Sequence, residues 1–439
     1  MLLILFSLFA IAPLWAQYVT QTFTPSIKTL RVHYASPVPD EPPLENMPYR
    51  PYLVLPSSGV ITEQGDANEH VLEISFDEMS HDVHQYTYRL HHLNADYCES
   101  DLTSQEYVSG FTTADIVDYE HSLNTQRNYT HYRFTLPSED MHLTASGLYA
   151  VRIYEDGNPD NVVATVVFAV VEPQVDIVGS VTSHTIQEIN GRYQQLDLSV
   201  SRQSSLASRQ SSANMAGDYF VVVRQNDRID NQVFAPKPSY IEANCLRWHN
   251  HGALIFEGGN EYRHLDIYST YYAGYNVDRI RFDRNDYHAF LLADDVRTSS
   301  LYIHEYDTDG QLLINAERTD FDDTEAEYMW VHWFLPMAEP IRDGAIYIGG
   351  DVFGNRLALQ NRMLYDNERH CYYLNALLKQ GAYDYQYWHV PTATQQKITL
   401  QTIEGSHHET ENCYTVYVYF RPFGSRADRL VGLRNILSR

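Results

Sequence analysis

The sequence predicts an all-β protein: tandem Ig-like β-sandwich domains, about three of them, behind an extended N-terminal segment. Three observations lead there. Tyrosine supplies 35 of the 439 residues, and aromatic side chains favour strands over helices. Runs of alternating apolar and polar residues recur between turn-forming residues along most of the chain, as they do in sandwiches. The length also exceeds what one hydrophobic core fills, so two to four domains of roughly 100 to 200 residues are expected.

Taken in order, the opening MLLILFSLFAIAPLWAQ is an unbroken apolar run ending at Ala16. It reads as a secretory signal peptide over 1–16, too short for a membrane span of about 20 residues. Residues 17–51 form the extended segment. Its stretch PVPDEPPLENMPYRP holds six prolines in fifteen residues, a composition that enforces extended chain. Residues 52–172 form a first sandwich, with VLEISF at 71, QYTYRL at 85, HYRFTL at 131, LYAVRIY at 148 and VVATVVFAVV at 162 all alternating. A break at Glu172 and Pro173 opens a second sandwich over 173–328. Its serine-rich stretch 201–217 is too polar to bury and reads as a mobile loop. The third sandwich, of the early-set Ig-like kind, spans 329–424 after the acidic run DFDDTEAE, which reads as a solvated linker. The tail, 425–439, is expected to be a short amphipathic helix or disordered.

One local pattern appears in each proposed domain: SGLYAV at 146, AGDYFV at 216 and QGAYDY at 380. Glycine gives the turn its backbone freedom, and the following tyrosine packs over the corner. In the last of these, Tyr383, Tyr385 and Tyr387 share one strand face, while Trp388 sits on the other with Ala382, Asp384 and Gln386. The tyrosine face is expected to be core. The alternative is a sugar-stacking platform of Tyr383, Tyr385, Tyr387 and Trp388, as in a carbohydrate-binding module.

Chemistry finds little purchase. With 31 basic against 57 acidic residues the net charge is −26, which repels phosphate backbones and anionic lipid, so no nucleic-acid partner is expected. No second apolar run is long enough to span a membrane. Cys98, Cys245, Cys371 and Cys413 allow two bridges in three connectivities. Placing Cys371 and Cys413 in one domain makes theirs the favoured disulfide. The histidines of HDVHQYTYRLHH and GSHHET read as surface or pairing residues, and EYDTDGQ at 305 as a hairpin turn, because the calcium-loop position twelve is Ala316. No HExxH, GxSxG, phosphate-loop or dinucleotide-binding motif is present. No catalytic residue, metal site or cofactor is expected.

Longer stretches carry a resemblance. LHHLNADYCESDLTSQEYVSGF, DYEHSLNTQRNYTHYRFTLP and SGLYAVRIYEDG in the first region, LIFEGGNEYRHLDI and LLADDVRTSSLYIHEYDTDGQLLI in the second, and IYIGGDVFGN with LLKQGAYDYQY in the third occur in this order. In that order and spacing the chain resembles the plug protein family of the Bacteroidetes type IX secretion system. It departs from the family pattern around His92–Asn94 and Asp96–Tyr97, and its serine-rich insert is longer. The resemblance implies a non-catalytic protein of the periplasm, peripheral to the outer membrane. It would close the periplasmic opening of the outer-membrane β-barrel translocon, its partner.

Overall fold

The structure, a computed structural model, describes residues 18–35, 50–56, 59–61, 71–203, 215–317, 319–394 and 397–438. The signal-peptide expectation, most of the proline-rich segment and the heart of the serine-rich loop lie outside them. The chain is all β, 48% strand and 6% helix.

The first sandwich packs two sheets face to face. One runs Gln21–Thr22, Val162–Val171, Gly147–Glu155, Tyr86–Leu93 and Thr113–Ile116, with Tyr52–Val54 added parallel to Val162–Val171. The other runs Ile27–Tyr34, Leu72–Glu78, Thr130–Leu136 and Asp118–His121. Alternation sends Leu72, Ile74 and Phe76 inward against Tyr149, Val151 and Ile153. Their neighbours Ser75 and Asp77 point outward yet are buried as well. That outer face is therefore covered by another part of the chain.

The second sandwich is assembled from two distant stretches. One sheet joins Val175–Thr182, Tyr193–Arg202, Cys245–Trp248 and Tyr240–Ile241, with Ile255–Glu257. The other places Tyr219–Gln225 antiparallel to Cys413–Phe420, which pairs in turn with Arg429–Leu437. Leu198, Val200 and Trp248 from one sheet meet Val223, Val416 and Val418 from the other. The described residues from Arg263 to Ile403 are an insertion that holds the third sandwich. It has one sheet around Gly381–Val390 and a second ordered Val277–Asp283, Asp286–Leu291, Tyr328–Pro336, Cys371–Lys379 and Leu364–Asp366.

Two expectations need correction. The partition at 328 and 424 cuts across sheets, because strands from the proposed second and third domains pair with each other. The tail is neither helix nor disordered: Arg429–Leu437 is a strand with Leu430, Val431 and Gly432 all buried. A run buried on both faces has no alternation by which to declare itself.

The glycine–tyrosine pattern marks the same device twice. The Tyr149 hydroxyl donates to the carbonyl of Ala145, and that of Tyr383 to the carbonyl of Lys379. Each tyrosine thus ties its strand to the backbone four residues upstream, in the manner of a tyrosine corner.

Candidate functional site

The strand Gly381–Val390 is the centre of the inserted sandwich. Tyr385, Tyr387 and Trp388 are 0% exposed and Tyr383 is 3% exposed, so none of them can stack on a sugar. Tyr385 and Tyr387 each donate a 2.6 Å hydrogen bond to Asp294 Oδ2. Arg263 closes the network, 2.9 Å from Asp294 and 3.0 Å from Glu404. Burial and the Asp294 charge push both phenols well above their usual range. Trp388 is buried because Gly349 on the neighbouring strand leaves the indole room; a side chain there would collide with it.

The expected disulfide is not formed. Cys371 and Cys413 fall in different sandwiches once the insertion is recognised, and all four cysteines are free thiols. Burial pushes the Cys413 thiol up to about 12, far from reactivity. No group of three or more metal-ligating side chains converges among the described residues. His91 pairs with Glu99, and His92 is buried against the Ser146 carbonyl. The DTDG stretch turns at Asp309 and Gly310, with φ of +55° and +84°. Burial raises Asp307 to about 8 and Asp309 to about 7.

The acidic run is no solvated linker. Asp322–Glu325 forms one helical turn that clasps the first sandwich. Asp323 pairs with Arg31, and Glu327 accepts the backbone N–H groups of Gln126 and Arg127. Behind this clasp lies a buried ionic cluster. Asp77 Oδ2 receives Lys379 Nζ and the Tyr328 hydroxyl, both at 2.7 Å, and Asp77 Oδ1 lies 2.6 Å from His131 Nδ1. The side chains of Asp77 and Lys379 are 0% exposed. Burial alone would raise Asp77, but Lys379 and His131 hold it below the usual carboxylate range. Against the same penalty of burial, Arg31, His131 and Lys379 hold Asp323 down at about 2.

The first sandwich meets the second through an apolar junction. Leu93, Leu148, Ala150 and Val171 pack against Val222, Tyr417, Tyr419 and Leu430. Two backbone bonds pin it, from Glu172 N–H to the Leu430 carbonyl at 2.9 Å and from Gln174 N–H to that of Val431 at 2.8 Å. Where the three sandwiches face one another lies a cavity of about 2470 Å³, lined by Ile27–Tyr34, Leu312–Ile314, Phe353 and Tyr417 among others.

Residues 61–172 match the family described as type 9 secretion system plug protein 1st domain. Over nearly its whole length the chain is also similar to a hypothetical protein from Parabacteroides merdae, known from a crystal structure. The identity is 33% and the TM-score 0.86, over 96% of this chain and 99% of that one. The chain belongs to the type 9 secretion system plug protein family. No curated protein matches it. Family membership ties this plug-family chain to type IX secretion and hence to the cell envelope. Among the described residues no helix is long and apolar enough to cross a membrane.

Sequence reasoning missed the ionic cluster of this plug-family chain. Its signals were present: Lys379 closes the largely apolar strand CYYLNALLK, and Asp77 follows the inward-facing Phe76. A charge inside a strand that is otherwise core asks for a buried partner. Alternation along one strand cannot say which distant strand supplies it.

Proposed function

We propose that this protein is a non-catalytic plug that closes the periplasmic opening of the outer-membrane type IX translocon by surface fit. The observation that carries the reading, beside family membership, is that the three sandwiches form one block. The apolar junction joins the first to the second, and the Asp77–Lys379 cluster joins the first to the third. A stopper must resist deformation, and domains joined by sizeable buried contacts do not flex freely as loosely tethered ones do. The seal must also be reversible, which suits a partly polar interface of about 1,200 to 2,000 Å². With a net charge of −26, part of that surface would meet basic groups on the barrel, and raised salt would slow docking more than it speeds release.

The carbohydrate-binding alternative loses its platform, since the four aromatic residues it needs are buried. The test of the plug reading is permeability. Cells lacking the protein, and lacking the cargo-side partner of the translocon as well, are expected to admit large hydrophilic solutes that intact cells exclude. Unchanged permeability in that strain would remove sealing as the function.

A further inference from the structure

The cavity between the three sandwiches has features that a void left by imperfect packing would lack. At about 2470 Å³ it is several times the usual small-molecule pocket of roughly 300–1,000 Å³. Two of its walls are sheet margins. Ile27–Tyr34 is the outermost strand of its sheet, and Leu312–Ile314 is the outermost strand of the sheet built on Gly381–Val390. Among the described residues no strand pairs with the outer margin of either. An outer strand presents a row of backbone donors and acceptors that another extended chain can use.

The charge in the cavity is the second observation. Lys28, on the first of these strands, and Arg356, beyond the short helix Asp351–Phe353, both line it. Neither has a carboxylate within ion-pair distance among the described residues. Arg356 donates 2.6 Å to the amide oxygen of Gln21, and Lys28 has Arg127 for its charged neighbour. Burial holds both cations below their usual values, with Arg127 adding to the effect at Lys28. Most other cations of the walls have a carboxylate: Arg50 has Asp227 and Asp351, Arg31 has Asp323, Arg127 has Asp286, Arg133 has Asp118, Arg224 has Asp227 and Lys379 has Asp77. In a chain with 57 acidic residues, two part-buried cations in one cavity, with no counter-ion among the described residues, call for a negative occupant.

We infer that this cavity is a binding groove for an extended acidic segment of another polypeptide. The segment would pair along the outer strands and set its carboxylates against Lys28 and Arg356. The groove is too large for a single small anion, and its apolar lining, with Leu30, Val32, Leu313, Val352 and Phe353, suits a chain whose apolar residues alternate with acidic ones. This inference does not depend on the sealing role and can stand or fall separately.

The test uses the purified chain and a fluorescein-labelled peptide of about ten residues that alternates glutamate with valine. A lysine–valine peptide is the control, and binding is read by fluorescence anisotropy. The glutamate peptide is expected to bind and the lysine peptide not to. Lys28→Gln and Arg356→Gln should each weaken binding roughly tenfold or more, whereas Lys28→Arg and Arg356→Lys should retain it. A glutamate peptide with proline at alternate valines, which cannot donate along a strand, should bind more weakly. Equal binding of both charge types, no binding of either, or full binding by the double Gln variant would overturn the inference. So would loss of binding in the charge-keeping variants, or preferential capture by phosphatidylglycerol vesicles. Binding that appears only when residues 36–49 are deleted would also overturn it. That stretch carries Asp40, Glu41 and Glu45, and the groove would then belong to the chain itself.

Discussion

The first sandwich meets its two neighbours through junctions of opposite chemistry. Against the second sandwich it sets leucines, valines and tyrosines, with the strand Arg429–Leu437 wedged between. Against the third it sets Asp77, His131 and Arg31, answered by Lys379, Tyr328 and Asp323. Apolar burial is roughly proportional to area and indifferent to direction, so the first junction supplies adhesion. A buried ion pair gains little net energy once desolvation is counted, but it tolerates few geometries. The second junction therefore fixes orientation. The difference follows from the chain path. The second sandwich joins the first directly through Glu172–Gln174, whereas the third is an insertion held at both ends by the second. Its position over the first must be set by contacts alone.

The largest expected effect breaks the ionic junction. Lys379→Ala leaves the Asp77 carboxylate buried without its strongest partner and should cost about 3–5 kcal/mol. Lys379→Met combined with Asp77→Leu removes the charge as well as its partner, and should cost clearly less than Lys379→Ala alone. On the apolar side, Leu430→Ala should cost about 2–5 kcal/mol as a plain cavity, with no second substitution able to restore it. Denaturant unfolding of these three variants, together with the single Lys379→Met and Asp77→Leu changes, decides the matter. If the double variant is as unstable as the sum of its single changes, Asp77 and Lys379 are not coupled and the contrast between the junctions fails.

How much of this was legible beforehand differs between strands and their partners. Alternation along VLEISF, LYAVRIY and YFVVVRQ marks strands because one face of each is core, and the tyrosines of QGAYDYQYW read as core for the same reason. Pairing across long separations was not legible. Nothing local in YTVYVYF says that it lies beside YFVVVRQ, almost two hundred residues earlier, with Val223 opposite Val416. That pairing created the insertion, split the expected Cys371–Cys413 pair between two sandwiches, and turned the tail into a strand. The sugar platform failed for a related reason. The polar face of its strand, carrying Asp384 and Gln386, is also buried, because the strand is central to its own sheet and covered on both sides. The ionic cluster was hidden by the same limit, since its charges are contributed by strands from opposite ends of the sequence.

A middle-sized effect sharpens the comparison through pH. Asp77 and Asp323 both titrate below their ordinary values in the folded chain, Asp323 at about 2. An unfolded aspartate titrates near 3.9, so the unfolded chain binds more protons between these values and stability must fall as pH falls. The contribution of the ionic junction is complete above about pH 4 and drains away as the pH drops toward 2. The apolar junction carries no such dependence. Asp323→Asn should flatten the acid limb of a plot of denaturant midpoint against pH, while Leu430→Ala should lower the whole curve without changing its slope. An acid limb of equal slope in wild type and Asp323→Asn would show that the cluster is not what acid weakens.

The smallest expected effect separates a buried charge from one at a rim. Arg429 pairs with Glu172 at the margin of the apolar junction, where their side chains keep 40% and 28% of their exposure. Water screens such a pair, and ordering two side chains offsets most of its attraction, so exposed pairs contribute about 0–1 kcal/mol. Arg429→Gln should therefore move the denaturant midpoint little, and added salt should erase what difference there is. Lys379→Ala should keep its full cost in the same salt, because ions do not reach the Asp77 carboxylate. The two variants measured at low and high salt thus place the junctions on one scale. A salt-insensitive loss for Arg429→Gln comparable to that of Lys379→Ala would mean that charge, and not apolar area, holds the first junction too, and the division of labour between adhesion and orientation would have to be abandoned.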